Sequence, residues 1–125
     1  MSHGLKREGG IVPITAGVDL TQGQLVKIVA GIAEVCTGSD TPLGSVTEDV
    51  AAGGIASVAV NGAASGTVFL DAFDGAIVVG SYLKPAAAGR VDGAATGNIV
   101  AVALEASGAQ GDKIECALLT PTTRA

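Results

Sequence analysis

Gly97-Asn-Ile-Val-Ala-Val-Ala-Leu-Glu105 is followed by Ala106-Ser-Gly-Ala-Gln110 and then by Gly111-Asp-Lys-Ile-Glu-Cys-Ala-Leu-Leu119. The first run is apolar from Ile99 to Leu104, the pattern of a strand buried on both faces. The second alternates: Ile114, Cys116 and Leu118 fall on one face, Lys113, Glu115 and Ala117 on the other. Alternation of period two marks a strand with one wet face. The short Ser/Gly-containing link makes the pair a hairpin. The chain thus closes with β-structure that must be covered from two sides, and nothing around it has the makings of a reaction centre.

Working outward, the same grammar recurs. Strand signals occupy Ile11–Ala16, Gln24–Ala30, Ile32–Cys36, Pro42–Glu48, Ile55–Val60, Thr67–Asp71, Ser81–Lys84 and Gly89–Asp92, separated by Gly, Asn and Asp turns. Pro13 assigns the first of these to an edge or an extended arm, because proline cannot donate to a ladder. Gly31 sits between two strands that form either a tight antiparallel pair or one bulged strand. Helical turns are expected at most once or twice, after Thr47 and across Asp74–Val79. The glycines fall at roughly regular intervals, but no repeat of fixed length emerges. The expected fold is all-β, a compact small barrel or sandwich of about eight or nine short strands. An extended arm over residues 1–12, a single domain over 13–120 and an exposed tail over 121–125 complete the division.

Composition agrees. The chain has 125 residues, enough for one core without metals or disulfides. Its apolar residues are mostly Ala and Val, with Phe69, Phe73 and Tyr82 the only aromatics, and small side chains imply thin, closely packed layers. A net charge of −5 argues against nucleic acid, which demands clustered Lys and Arg. Lys6-Arg7 is the one basic pair. No apolar run reaches the roughly 20 residues of a membrane span. No secretory leader pattern opens the chain. Cys36 and Cys116 read as reduced thiols in apolar surroundings, consistent with synthesis in a cytoplasm.

The search for chemistry returns no catalytic, cofactor-binding or metal residues. His3 is the only histidine and lies in the arm, where a nucleophile's base could be neither buried nor oriented. The two cysteines have no neighbouring ligands for zinc. Asp71-Ala-Phe-Asp74-Gly75 has acids three apart but lacks the distant Glu of a calcium loop. No Gly-Lys-Ser/Thr cradle follows any glycine pair. A biotinyl or lipoyl carrier, itself a small β-barrel, would need its lysine at a hairpin tip, and Lys27, Lys84 and Lys113 are not so placed. A small-ligand-binding barrel stands beside it as the other non-structural alternative.

Asn98-Ile-Val-Ala-Val-Ala-Leu-Glu-Ala106 with Gly111-Asp-Lys-Ile-Glu-Cys-Ala-Leu118 resembles the closing motif of small head decoration (cement) proteins of tailed bacteriophages. Gly80-Ser-Tyr-Leu-Lys-Pro85 with Gly89-Arg-Val91 is similar to the strand, turn and strand of the same group. Thr15-Ala-Gly-Val-Asp-Leu20 with Gly23-Gln-Leu-Val-Lys27 is similar to its opening region. The resemblance covers most of residues 15–119, with no equivalent for Ile55–Asp71. It implies a non-enzymatic structural virion protein, made in the host bacterial cytoplasm and bound to the outer surface of an expanded head. Its partners would be the major capsid protein and further copies of itself, as a homotrimer, with a dimer fitting the residues equally well. No nucleic acid, membrane or cofactor is implied. Another phage structural component, in tail or baseplate, is the alternative within that class. The arm supplies the expected capsid contacts: Leu5, Ile11 and Val12 by apolar packing or strand addition, Lys6 and Arg7 by pairing with carboxylates. Extended, its residues span roughly 40 Å, enough to reach a neighbouring subunit.

Overall fold

The computed structural model describes residues 9–64, 66–94 and 96–124. Among them run ten strands: β1 (Ile11–Thr15), β2 (Leu25–Val29), β3 (Ile32–Val35), β4 (Gly44–Val46), β5 (Ile55–Val60), β6 (Thr67–Asp71), β7 (Tyr82–Pro85), β8 (Val91–Gly93), β9 (Gly97–Ala103) and β10 (Lys113–Arg124). They form two five-stranded antiparallel sheets, a sandwich architecture, in the orders β1-β5-β4-β2-β3 and β6-β10-β9-β7-β8. The all-β expectation holds, and all ten runs named in the sequence form strands, against the eight or nine expected of them. Pro13 lies on the outermost strand of its sheet, where its missing N–H costs no ladder bond.

The two strand orders are the same order. Adding five to each label of the first sheet produces the second, so the chain is a tandem of two structurally equivalent units. The correspondence extends to individual bonds. Val26 pairs with Gly44 as Leu83 pairs with Ala101, and Val12 pairs with Val58 as Val68 pairs with Cys116. Each sheet curls until its outer strands meet through one parallel bridge, Ala16 to Ala33 in the first unit and Ala72 to Val91 in the second. Leu20 and Ile77 are equivalent buried plugs; Val50 N donates to Leu20 O as Ser107 N donates to Ile77 O. Among the described residues the only two non-glycine residues with positive φ, Ala30 (52°) and Ala88 (60°), are also equivalent, and each precedes a glycine of positive φ. In the first unit two successive positive φ values make the tight hairpin turn that suits strand twist, joining Val29 directly to Ile32. The absence of a repeat of fixed length stands, and the repeat that the structure contains is one of variable interval. The interval between equivalent residues drifts by a residue from loop to loop, which hides it from any fixed-period reading.

Packing follows the units. Ala16, Leu20, Val26, Ala33, Val46, Ala56 and Val58 fill the curl of the first sheet. A second cluster fills the other curl with Leu70, Ile77, Leu83, Val91, Val100, Ala101, Ile114 and Cys116, and it also takes in Leu25 and Cys36 from the first unit. β9 is the middle strand of its sheet and Ile99 to Ala101 are buried, as the opening run requires. Ile114 and Cys116 face that core, with Leu118 packed at its border.

Three boundaries differ from the sequence reading. β1 begins at Ile11, so Ile11 and Val12 belong to the folded body and not to an arm ending at residue 12. β10 continues through the presumed tail: Thr122, Thr123 and Arg124 pair with Ile99, Asn98 and Gly97 after a register shift that spans Pro121. A proline there removes a donor, and a bulge is where a strand tolerates that loss. The helical turns expected after Thr47 and across Asp74–Val79 are absent, and the one 3₁₀ turn among the described residues lies at Ala87–Gly89. The backbone of those segments is committed elsewhere. Val50 exchanges two bonds with Leu20, and Ile77 N donates to Ser107 Oγ. Asp74 Oδ1 accepts from Ala76 N in a local turn.

Candidate functional site

Of the five expected contact residues, Leu5, Lys6 and Arg7 lie outside the described residues, as does His3. Ile11 and Val12 sit together on β1, yet alternation separates them. Val12 turns inward onto the first unit's core and is not free to bind. Ile11 turns outward and is exposed. It lines a groove of about 180 Å³ with Gly9, Thr47, Ala59, Thr67 and Val68, residues of both units. Thr47, Thr67 and Val68 also border an adjoining groove with Gln22 and Phe69. Together the two mark the seam between units.

The groups that could do chemistry are committed to structure. Both thiols are free and buried, and loss of solvation pushes each up to about 12. For Cys36 the nearby Asp40 adds to that rise while Lys27 opposes it; for Cys116, Glu105 and Glu115 add to it. A thiol so hard to ionise is a poor nucleophile. Among the described residues no group of three His, Cys, Asp or Glu side chains could hold a metal. Asp71 pairs with Lys113, whose Nζ also donates to Gln22 O, while Asp74 serves its own turn, so the two acids do not converge on a cation. The three described lysines, Lys27, Lys84 and Lys113, all lie in strands, none at a hairpin tip. Among the described residues no helix is long and apolar enough to cross a membrane.

The informative surfaces are those on which the equivalent units differ. Inside the chain, one side of the first unit packs against the opposite side of the second. Asp71 N donates to Gly23 O, Gly89 N to Cys36 O, and Gln24 Nε2 to Ala88 O. Leu25 is fully buried there, yet its equivalent in the second unit, Tyr82, is 42% exposed. Beside Tyr82 stand exposed Leu104 and Val79, the latter 65% exposed. On the opposite side the asymmetry reverses. Pro85 and Gly89 of the second unit are buried against the first, whereas their equivalents Ile28 and Gly31 are exposed. Ile32 and Ile55 join them, Ile55 at 60%.

Two glycine pairs show the same contrast in atomic terms. A Cβ added at Gly23 would stand 2.9 Å from Asp71 Oδ1, and one at Gly89 would stand 3.0 Å from Leu25 O. At their equivalents, Gly80 and Gly31, such an atom would meet nothing within 4 Å. The same backbone is crowded at the internal seam and open at the two ends of the molecule.

These end faces escaped the sequence reading, although a signal for them exists. Gly23-Gln-Leu-Val-Lys27 and Gly80-Ser-Tyr-Leu-Lys84 are one motif written twice, as are Ala30-Gly31 and Ala88-Gly89. Aligned, they place Leu25 on Tyr82 and identify a position whose surroundings differ between copies. Compared with protein-family models and with curated proteins, the chain gives no match.

Proposed function

We propose that the protein is a structural virion component, a capsid decoration protein that binds the outer surface of an expanded phage head and stabilises contacts between major capsid subunits. The observation that carries this reading is the distribution of exposed apolar surface. Val79, Tyr82 and Leu104 gather on one end of the molecule and Ile28, Ile32 and Ile55 on the other. Contiguous apolar patches on a small soluble domain mark association surfaces. The resemblance of the closing hairpin and of the Gly80–Val91 segment to cement proteins supports the choice of a head among phage assemblies. In this reading the protein has no enzymatic role, associates with further copies of itself as a homotrimer, and resides on the virion exterior.

Capsid contact would be made by the segment leading into β1. Leu5, Lys6 and Arg7 precede a strand that is the outermost of its sheet and carries exposed Ile11. An edge strand preceded in sequence by basic residues suits strand addition, main-chain bonds giving affinity and basic side chains selecting an acidic partner. Because Ile11 and Val12 are part of β1, the informative truncation removes residues 2–8 only and leaves that strand whole. Purified protein added to undecorated expanded heads is expected to bind to saturation at fixed stoichiometry and to raise their resistance to heat. The truncated chain is expected to bind at reduced occupancy. Absence of binding by the full chain refutes the reading, and undiminished occupancy of the truncated chain removes the leader from it.

A further inference from the structure

We propose that copies of this chain join head to tail, the Val79 face of one docking on the Ile55 face of the next, in a repetition of the contact that joins the two units within each chain. The internal seam is heterologous: it apposes two different sides of the same kind of unit. A contact of this type leaves one side of each kind unused, and the faces left over are the two apolar ends. In repeat architectures terminal units carry polar outer faces when stacking is to stop. Here both ends are apolar.

The two free faces also match each other better than either matches water. At the seam, Lys113 Nζ donates to the carbonyl of Gln22. Asp71 and Lys113, which pair at the seam, are Thr15 and Ile55 in the first unit, so the ion pair of that side is replaced by uncharged side chains, while Gln22 corresponds to Val79, which keeps the main-chain carbonyl. The open space over Gly80 and Gly31 is the space that the seam fills over Gly23 and Gly89. Docking would set Thr15 N against Gly80 O and Gly31 N against Ala94 O, the equivalents of two seam bonds. Heterologous contacts make closed rings when their rotation closes and filaments when it does not. A ring of three chains would hold six units in succession. The arrangement shares with the preceding reading its claim of self-association, and the experiment uses purified protein without capsids, so that its failure is distinguishable from a failure to bind heads.

Light scattering on the eluting protein reads the mass directly. The wild-type chain is expected at a multiple of 12.1 kDa. Val79→Asp and Ile55→Asp, each at an exposed position, are each expected at the mass of one chain, still melting in one cooperative transition but without the contribution of association. Mixed in equal amounts, they are expected to form pairs and to stop at two chains, since one intact face of each kind remains. A single-chain wild type overturns the proposal. So do variants that keep the wild-type mass, and so does a mixture that stays single; a variant that pairs on its own overturns it too, because like faces would then pair with like. Should Val79→Asp not fold, Leu104→Asp on the same face takes its place.

Discussion

The first unit and the second share strand order, register, bridges and turn conformation, yet they bury different residues. Leu25 and Tyr82 occupy the same place in equivalent strands beside equivalent glycines. One is sealed in the joint core and the other is open to solvent. A fold, then, specifies where a side chain points, and the neighbouring unit decides whether that direction is inside or outside. Small side chains make the arrangement workable. Ala16, Ala33, Ala56 and Val58 let a five-stranded sheet curl tightly around Leu20, and Ala72, Ala101 and Ala103 do the same beside Ile77.

The sharpest way to break this comparison is to truncate the equivalent pair. Leu25→Ala empties a fully buried site that ties the two cores together, and a cost of about 2–5 kcal/mol is expected. Tyr82→Ala shortens a side chain that is 42% exposed, and a smaller cost of about 1 kcal/mol is expected. Urea unfolding of both variants in the Ile55→Asp background keeps self-association out of the measurement. Similar costs at the two positions would mean that the seam contributes little and that each unit stands on its own core.

A smaller effect sharpens the same comparison at the opposite face. The second unit has Asp71 and Lys113 where the first has Thr15 and Ile55. Asp71 is nearly buried at the seam and its carboxylate is matched by Lys113. Lys113→Ile leaves that carboxylate without its cation, and a loss of about 1–3 kcal/mol is expected. Asp71→Thr leaves a half-exposed ammonium that still has the Gln22 carbonyl, and should cost less. The double variant installs the first unit's own pair and is expected to cost less than the two single changes added together, a coupling that a double-mutant cycle measures. Strict additivity would show that the ion pair is incidental to the seam.

Much of this was legible in the chain, for identifiable reasons. Ile55–Val60 and Thr67–Asp71 are read with correct limits because glycine and aspartate turns bracket β-branched runs. The buried middle strand is evident in the unbroken apolar run from Ile99. The expected helical turns failed because Val50 and Ser107 give their backbone groups to Leu20 and Ile77, partners that no local pattern reveals. The repeat stayed hidden because its identities are single small residues, Ala16 with Ala72, Gly23 with Gly80, Gly53 with Gly111, at intervals that drift. The end faces stayed out of sight for a related cause: isoleucines at 28, 32 and 55 have the spacing of core residues. Among the described residues no second unit covers them, so they lie outside.

The smallest expected effect tests a feature the second unit lacks. In the first unit the connection from β3 to β4 folds around Asp40, whose Oδ2 accepts from Thr37 N at 2.8 Å and Thr37 Oγ1 at 2.9 Å and meets Lys27 Nζ at 2.9 Å. The second unit's shorter connection puts Gly97 at the corresponding point. The Thr37 amide, then the Lys27 ammonium and the Thr37 hydroxyl, hold the Asp40 carboxyl down to about 2 from an ordinary 3.8. Bonding to the same carboxylate raises Lys27 above its usual value. A depressed carboxyl stabilises the folded chain above its unfolded value, and that contribution disappears as pH falls through the folded one. The loop's share is therefore complete above about pH 4 and lost by about pH 2. The pair is partly exposed to solvent and so weakened by salt, which makes the slope of melting temperature against pH a better readout than any single melting point. Asp40→Asn is expected to flatten that slope between pH 4 and 2 and to leave it unchanged between pH 5 and 8. An acid limb identical to wild type would show that the loop adds nothing to the first unit's stability, and that the two units differ only in what covers them.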